Sequence, residues 1–336
     1  MIKLNNKLLH ILPSTQISSD LLFVIDLSKE LTEYNHYVIF EKLDPQMDMD
    51  TVWLLQSVGI NVLFADVLTP EVIEKEQASG VIIYNLEGHT DLGSVCPSIY
   101  YSCGVYDEVS KCKMTVAASD YACIYDCKGR PLNLNKEFVI PPAINTRVLR
   151  YYNKQDPNFT VGLITSGARD KYPCEFIIEL LSKLDKSKDV ILGLTILDKY
   201  KHPGTQLAID EYSKTNKLIR CSHKITAGLY YISHCDVVIY ATANNYYEPY
   251  SRTVVEAMAF GRPVICENRG CFPTLFEHNN NILLFNMVDE AVEYINKLKD
   301  KTLRSSIGLN GQLRSSWEDI SLHSGKMKKA LRMIGV

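Results

Sequence analysis

Residues 248–284 read EPYSRTVVEAMAFGRPVICENRGCFPTLFEHNNNILL, and they follow a short apolar run, DVVIY, at residues 236–240. An uninterrupted apolar run of this length is typical of a strand that is buried on both faces of a parallel sheet. Ser251 is a good N-cap candidate for the helix that begins after it, and Gly261 suits a left-handed C-cap. Pro263 ends the helix, and VIC begins the next strand. The pattern of strand, loop, helix and strand predicts an α/β fold.

Few residues in this predicted helix are polar apart from Arg252, Thr253 and Glu256. The amides of Arg252, Thr253 and Val254 have no acceptor within the helix, and the helix dipole adds positive charge there, so this end is suited to bind phosphate. Glu256 lies one turn deeper in an apolar helix, where a carboxylate needs a hydrogen-bond partner. It is placed to accept hydrogen bonds from the two hydroxyls of a ribose. Glu248, on the preceding loop, is placed to hold the hydroxyls of a sugar. Together these residues predict a site for a nucleotide diphospho-sugar.

The two glutamates, followed by AMA at 257–259 and GRPVI at 261–265, resemble the E-x7-E signature of retaining glycosyltransferases of family 4 with the GT-B architecture. The resemblance implies two Rossmann-like domains that face each other across a cleft, with the donor bound to the second domain and the acceptor to the first. It also implies a C-terminal helix that crosses back to the first domain. Ser251 stands where family members commonly carry glycine, and we assign it to the phosphate site, where its side chain would either crowd the phosphate or donate to it.

The same resemblance places cationic side chains on the donor diphosphate, after the first strand of the second domain. Lys171, in KYP, fits the K-x-P form of that motif, and Arg169 is the nearest guanidinium. Such cations stabilise the nucleoside diphosphate as it departs with more negative charge. We also assign His89, Ser14 and Tyr250 to the wall of the cleft.

Strand and helix patterns alternate along the whole chain of 336 residues, and this alternation predicts two doubly wound parallel sheets. We place the first domain at 1–157, the second at 158–312 and a C-terminal helix at 313–336. In that helix, Leu313, Trp317 and Ile320 have the spacing of one apolar stripe. No G-x-G-x-x-G follows the first strand, which disfavours a dinucleotide redox cofactor.

Composition narrows the class of protein further. A net charge of −3 gives no general attraction to nucleic acid, and no apolar run reaches the length of a membrane span. Ten cysteines are scattered without a framework, which favours free thiols in a reducing cytoplasm. Cys221, His223, His234 and Cys235 have poor spacing for a zinc site, so we expect neither a metal nor a separate cofactor.

We therefore expect a cytoplasmic enzyme, a retaining and metal-independent glycosyltransferase that moves a sugar from a nucleotide diphospho-sugar to the hydroxyl of a glycan or lipid-linked acceptor. A lipid-linked acceptor would bring it to the inner face of the membrane. Two alternatives stay open: a sugar-nucleotide 2-epimerase of the same architecture, and a non-catalytic sugar-nucleotide binding protein. A modified base in phage DNA is a minor option for the acceptor, and the net acidity disfavours a nucleic-acid partner. The sequence leaves the oligomeric state open.

Overall fold

The structure, a computed structural model, describes residues 6–12, 18–41, 49–85, 91–102, 112–131, 138–149, 158–164, 171–184, 190–195, 203–221 and 225–336. The chain divides into two compact units. Unit 1 comprises Met1–Asn145 and Asp319–Val336, and unit 2 comprises Thr146–Glu318. The first stretch of unit 1 therefore ends at Asn145, before the boundary at residue 157 expected from the sequence, and the C-terminal segment joins unit 1 from Asp319.

The helices follow the chain in this order: α1 Ser19–Glu30, α2 Met49–Ser57, α3 Pro70–Lys75, α4 Asp120–Ile124, α5 Cys174–Lys183, α6 Pro203–Ser213, α7 Ile225–His234, α8 Arg252–Ala259, α9 Phe272–Leu275, α10 Val288–Lys297, α11 Lys301–Ser315 and α12 Ile320–Met333. Short 3-10 turns lie at Leu92–Ser94 and Ser316–Glu318. Within the described residues, no helix has the length and apolar composition that crossing a bilayer requires.

Unit 1 is built on a parallel sheet of β1 Lys7–Ile11, β2 Asn35–Glu41, β3 Asn61–Ala65, β4 Gly80–Tyr84, β5 Ser98–Ser102 and β6 Met114–Ala117. The strand order is β3-β2-β1-β4-β5-β6, with Leu9 of β1 opposite Tyr37 on one side and Val81 on the other. The core between this sheet and its helices also contains Met327 and Leu331 of α12, which are fully buried. The last helix is therefore part of the core of unit 1.

Unit 2 repeats this architecture with β7 Phe159–Leu163, β8 Val190–Thr195, β9 Leu218–Cys221, β10 Val237–Tyr240, β11 Val264–Glu267 and β12 Leu283–Phe285. Its order is β12-β11-β10-β7-β8-β9, and every described pair is parallel. All strands run the same way, but the side on which successive strands are added reverses between β7 and β10, where Leu163 lies opposite Ile239. Doubly wound sheets bind ligands beyond the carboxyl ends of the strands at such a switch point. The predicted α/β architecture is confirmed in both units.

Helix α8 begins and ends where the sequence predicts. Ser251 caps its first turn, and Gly261 has a φ of +68°, in the left-handed region that glycine tolerates best. The helix is buried almost all round, since α11 covers it where Gly308 packs against the carbonyl of Gly261. A helix enclosed in this way holds its first turn in a fixed position at the carboxyl end of β10.

The predicted apolar stripe in the C-terminal helix is wrong. Leu313 and Trp317 are 62% and 69% exposed, whereas Ile320 is 1% exposed. The reason is a break in the helix: α11 ends at Ser315, and the side chain of Asp319 caps a new helix. The three apolar residues therefore do not share one helix face.

Candidate functional site

Two residues singled out from the sequence meet at the switch point of unit 2. Lys171 follows β7 and Glu248 follows β10, and the Nζ atom of Lys171 forms an ion pair with Oε2 of Glu248. The Lys171 side chain is 16% exposed and that of Glu248 is 2% exposed. Burial strengthens the attraction between the two charges, because little water screens it. The structure thus pairs the lysine that is predicted to bind phosphate with the glutamate that is predicted to bind the sugar.

A tyrosine from the end of β10 holds the same carboxylate oxygen. The hydroxyl of Tyr240 donates to Oε2 of Glu248 at 2.5 Å, and its ring packs edge-on against Phe272 with centroids 5.7 Å apart. Burial, and then the negative charge of Glu248, raise the pKa of Tyr240 well above its ordinary value, so the hydroxyl remains a donor. The ring centroid of Tyr246 lies 5.1 Å from Nζ of Lys171, and that of Tyr240 lies 5.9 Å away.

The backbone of Glu248 is fixed by the loop after β11. The amide of Cys271 donates to the carbonyl of Glu248 at 2.8 Å. Gly270 has a φ of +63°, and a Cβ atom there would lie 2.6 Å from the same carbonyl oxygen. Glycine is thus required at this position for two separate reasons. Burial, followed by the charge of Glu248, raises the pKa of the Cys271 thiol, so it stays protonated next to the carboxylate.

A second buried carboxylate, Glu267, closes β11 beside the loop that follows β10. The amide of Thr242 donates to Oε2 of Glu267 at 3.3 Å, and the hydroxyl of Thr242 donates to Oε1. The guanidinium of Arg269 donates to Oε2 at 2.7 Å. Burial raises the pKa of Glu267, and the hydrogen bond and charge of Arg269 oppose that rise. Glu267 and Arg269 therefore form a partly buried ion pair that ties the loops after β10 and β11 together.

The first turn of α8 differs in one respect from the expected phosphate site. The hydroxyl of Ser251 accepts from the amide of Val254 at 3.4 Å, so one of the three predicted phosphate-binding amides already has an acceptor. Nε of Arg252 donates to Oε1 of Glu256 at 3.3 Å, and both residues are 7% exposed. The partner that a buried Glu256 needs is therefore on its own helix. Thr253 is half-buried at the same end.

The remaining predicted site residues divide into two groups. Tyr250 is 5% exposed and donates its hydroxyl to Oε2 of Glu318 at 3.1 Å, so it lies in the interior of unit 2. Burial, and then the charge of Glu318, raise the pKa of Tyr250 well above its ordinary value. His89, Ser14 and Arg169 lie outside the described residues.

Sequence reasoning did not identify Tyr240, Glu267, Arg269 or Cys271. In the sequence, Tyr240 looks like an ordinary strand residue. Its contact with Glu248 arises because the loop after β10 folds back towards the end of that strand. Glu267 and Arg269 lie within the quoted stretch, and two opposite charges beside a buried strand were a signal that could have been used. In the described part of the chain, no group of three or more His, Cys, Asp or Glu residues is arranged to hold a metal ion.

The family profile described as "Glycosyl transferases group 1" matches residues 174–314, which lie within unit 2. The chain therefore contains a glycosyltransferase group 1 domain. It is similar to a probable sucrose-phosphate synthase of Thermosipho melanesiensis, with 28% identity over 171 residues. That alignment covers 49% of this chain and 40% of the relative, so less than half of the curated relative is spanned.

Solved structures match over nearly the whole chain. HepE of Anabaena in complex with UDP has a TM-score of 0.73 and 18% identity, covering 97% of this chain and 100% of HepE. A glycosyltransferase of Rickettsia africae ESF-5 has a TM-score of 0.74 and 15% identity, with 98% of each chain covered. Sucrose-phosphate synthase of Thermosynechococcus elongatus has a TM-score of 0.71 and 14% identity, again with 98% of each chain covered. HepE was also solved with UDP-glucose. These likenesses establish the GT-B fold.

Proposed function

We propose that this protein is a retaining, metal-independent glycosyltransferase that uses a nucleotide diphospho-sugar as donor. The observation that carries the proposal is the ion pair of Lys171 and Glu248 at the β7/β10 switch point. Lys171, to which we assign anion binding, and Glu248, to which we assign sugar binding, meet close to the first turn of α8. Glu248 lies within the region 174–314 that the glycosyltransferase group 1 profile matches, and Lys171 lies three residues before that region. The E-x7-E pattern supports the same assignment.

The diphosphate would bind at the first turn of α8 and at Lys171. The amide of Thr253 and the helix dipole attract the anion there, although Ser251 already satisfies the amide of Val254. Lys171 would exchange its carboxylate partner for a phosphate oxygen, and Arg169 is the second cation we assign. These charges stabilise the nucleoside diphosphate as its bond to the sugar breaks.

The two glutamates would bind hydroxyl groups on either side of the diphosphate. Among the described residues, Tyr240 and Lys171 contact the Glu248 carboxylate, and both do so at Oε2. In the proposed complex, Oε1 would accept from a sugar hydroxyl. Glu256, held by Arg252, would accept from the ribose diol. The division of roles predicts that Glu248 acts mainly on transfer and Glu256 mainly on nucleotide affinity.

In the proposed reaction, the bond between the anomeric carbon and the departing phosphate oxygen breaks on the face where the acceptor oxygen attacks. The acceptor hydroxyl gives its proton to that phosphate oxygen, and the new glycosidic bond keeps the anomeric configuration. No side chain acts as a nucleophile in this scheme. Glu248 would hold the sugar in the orientation that the transition state requires, and it would raise the rate in this way.

UDP-glucose is the first donor to test, because HepE was solved with UDP and UDP-glucose. We propose a glycan or lipid-linked acceptor, reached in the cytoplasm or at the inner face of the membrane. The likeness to a probable sucrose-phosphate synthase adds a sugar phosphate to the acceptors that we would test. The acceptor panel should therefore include oligosaccharides, a lipid-linked sugar and hexose phosphates.

A thermal-shift screen against UDP-, GDP-, ADP- and TDP-sugars would identify the donor, since a ligand that binds the folded state raises the melting temperature. Product analysis by proton NMR, with and without EDTA, would then test transfer, anomeric configuration and metal dependence. Transfer with retention in EDTA is expected. An altered free sugar without acceptor would indicate the epimerase, binding without turnover would indicate a binding protein, and an inverted product would refute retention.

A further inference from the structure

Arg269, on the loop after β11, joins that loop to the one after β10. Its Nη1 atom donates to the carbonyl of Asn244 at 2.7 Å. Its Nη2 atom donates to the carbonyls of Thr242 at 3.0 Å and Ala243 at 2.9 Å. One side chain thus contacts three successive carbonyl groups of a loop that has no regular secondary structure of its own. Backbone carbonyls in such a loop need donors from elsewhere.

The guanidinium is itself held in place on its other side. Nη2 donates to Oε2 of Glu267 at 2.7 Å, and Glu267 is 6% exposed. The guanidinium carbon also lies 5.6 Å from the centroid of the Tyr247 ring. A planar group with several fixed donors matches this arrangement, whereas the single ammonium of a lysine does not. The guanidinium of Arg269 thus pairs with Glu267 and donates to backbone carbonyl oxygens, and these contacts fix the position of the loop.

The loop that Arg269 holds is bonded directly to the segment carrying Lys171. The amide of Ala243 donates to the carbonyl of Lys171 at 3.0 Å, and the amide of Tyr246 donates back to Ala243 at 2.9 Å. On the other side, the amide of Cys271, two residues after Arg269, donates to the carbonyl of Glu248 at 2.8 Å. The segment that carries Arg269 therefore contacts the backbone of Glu248 directly and that of Lys171 through the 242–244 loop.

We propose that Arg269 is a positioning residue of the donor site, which sets the place of the Lys171 ammonium relative to Glu248 through the 242–244 loop. The proposal rests on the proposed function, since it concerns the affinity of the same site for a nucleoside diphosphate. Arg269 would not contact the donor. It would act through Lys171, and the loss of Arg269 would misplace the cation that binds the diphosphate.

The first test is a double-mutant cycle on UDP affinity, measured by calorimetry. Arg269→Gln is expected to weaken UDP binding about tenfold, and Arg269→Lys to recover little of the loss. In a Lys171→Met background, Arg269→Gln is expected to have less than a twofold further effect, because the residue through which it acts is gone. Equal effects in both backgrounds would overturn the proposal and would indicate that Arg269 contacts the nucleotide itself.

Arg304→Gln is the matched control. Arg304 also donates to two backbone carbonyls, those of Leu298 at 2.8 Å and Lys299 at 3.2 Å, and its guanidinium lies 5.3 Å from the ring of Phe159. Its side chain is 20% exposed, against 22% for Arg269. It lies at the amino end of β7, so Arg304→Gln should leave UDP affinity unchanged. A loss equal to that of Arg269→Gln would show a general effect of removing a structural arginine.

A second test needs no ligand. Amide hydrogen exchange in the ligand-free protein should rise at Ala243 and Tyr246 in Arg269→Gln but not in Arg304→Gln, because the first variant loses the donors to this loop. Unchanged exchange would refute the role of Arg269 whatever the protein binds. If Arg269→Gln shows the exchange effect but the wild-type protein binds no nucleoside diphosphate, the proposed function is refuted and Arg269 determines loop structure only.

Discussion

The hydroxyl of Tyr240 donates at 2.5 Å to Oε2 of Glu248, the oxygen that also receives the ammonium of Lys171. Two donors on one oxygen fix the orientation of the carboxylate, and we propose that the other oxygen binds the sugar. When Lys171 moves to a phosphate oxygen, Tyr240 would still hold the carboxylate, which would then lose little freedom on binding a sugar. The two donors also account for a glutamate that is only 2% exposed, since a buried carboxylate needs partners.

Tyr240→Phe should lower the rate of transfer about tenfold or more while it changes the KM for the donor little. The variant keeps the ring contact with Phe272 and removes one of the two donors to Glu248. A hydrogen bond to a charged group contributes roughly 1.5–3 kcal/mol. Steady-state kinetics would measure the effect. Tyr101→Phe is the control, because it removes a buried hydroxyl that donates to Ile140 in unit 1 at 2.7 Å. Equal losses in the two variants would contradict a specific role for Tyr240.

Glu248→Gln should separate transfer from nucleotide binding. Transfer should fall at least about 100-fold, because the neutral amide orients sugar hydroxyls less strongly than a carboxylate does. The affinity for UDP should stay the same or increase, since Lys171 loses the carboxylate that competes with phosphate for it. Calorimetry with UDP and a transfer assay would measure the two effects. Parallel losses in both would contradict the separate roles of Glu248 and Lys171.

Glu256→Gln should weaken UDP binding by about tenfold or more, because a charged acceptor of the ribose hydroxyls is lost. The variant keeps the shape of the side chain next to Arg252, and its melting temperature would check that unit 2 still folds. Glu293→Gln provides the control, since Glu293 pairs with Lys297 at the same i, i+4 spacing on the surface of α10. Unchanged affinity by calorimetry in Glu256→Gln would refute the assignment of Glu256 to the ribose.

The sequence predicted the parts of the site that depend on local signals. The apolar run at 236–240, the Ser251 cap and Gly261 correspond to β10, the start of α8 and its left-handed end. Capping and periodicity act over a few residues, so one sequence contains them in full. The same local reasoning was wrong for Leu313 and Trp317, because the break before α12 depends on how Asp319 caps a new helix.

Contacts between distant segments were beyond prediction from one sequence. The ion pair of Lys171 with Glu248 joins loops that follow different strands, and their meeting depends on the order in which β7 and β10 lie in the sheet. The contact of Tyr250 with Glu318 likewise depends on the return of the chain after α11. A residue type and its spacing identify candidates, but only the topology determines which of them touch.

Unit 1 contains a buried chain of hydrogen bonds that should make it sensitive to acid. His10 contacts the hydroxyl of Tyr84 at 3.0 Å and His36 at 2.9 Å, and His36 contacts the carbonyl of Leu31 at 3.0 Å. The carbonyl of Leu31 can only accept, so His36 donates to it and accepts from His10 through its other ring nitrogen. His10 then accepts from the hydroxyl of Tyr84, and both imidazoles are neutral. Burial lowers the pKa of His10, with His36 adding to the effect, and burial lowers the pKa of His36 against the smaller opposing effects of Leu31 and Glu33.

The sign of the pH dependence follows from these shifts. Below the unfolded pKa, about 6.5 for histidine, the unfolded chain binds protons that the folded chain excludes, so acid favours unfolding. Between pH 7.5 and 5.5, unit 1 should lose roughly 1–2 kcal/mol of its free energy of unfolding. Urea unfolding of a Trp317→Phe variant would measure this, since Trp53 of unit 1 is then the remaining tryptophan. The same loss in a His10→Leu, His36→Leu double variant would show that other groups cause it.

Gly308→Ala should destabilise unit 2 by about 1–3 kcal/mol, although alanine favours helices. A Cβ atom at Gly308 would collide with the carbonyl oxygen of Gly261 and lie 3.3 Å from Cδ of Pro263, so α11 would have to move away from the end of α8. Gly228→Ala, in α7, is the opposite case. Among the described residues, nothing beyond its own helix and its chain neighbours lies within 4 Å of the added Cβ, so the variant should be more stable by about 0.5–1 kcal/mol. Urea unfolding of both variants, followed by Trp317 in a Trp53→Phe background, would compare them. A stabilised Gly308→Ala would mean that α11 does not hold α8 in place, and the fixed first turn on which the donor site depends would need another cause.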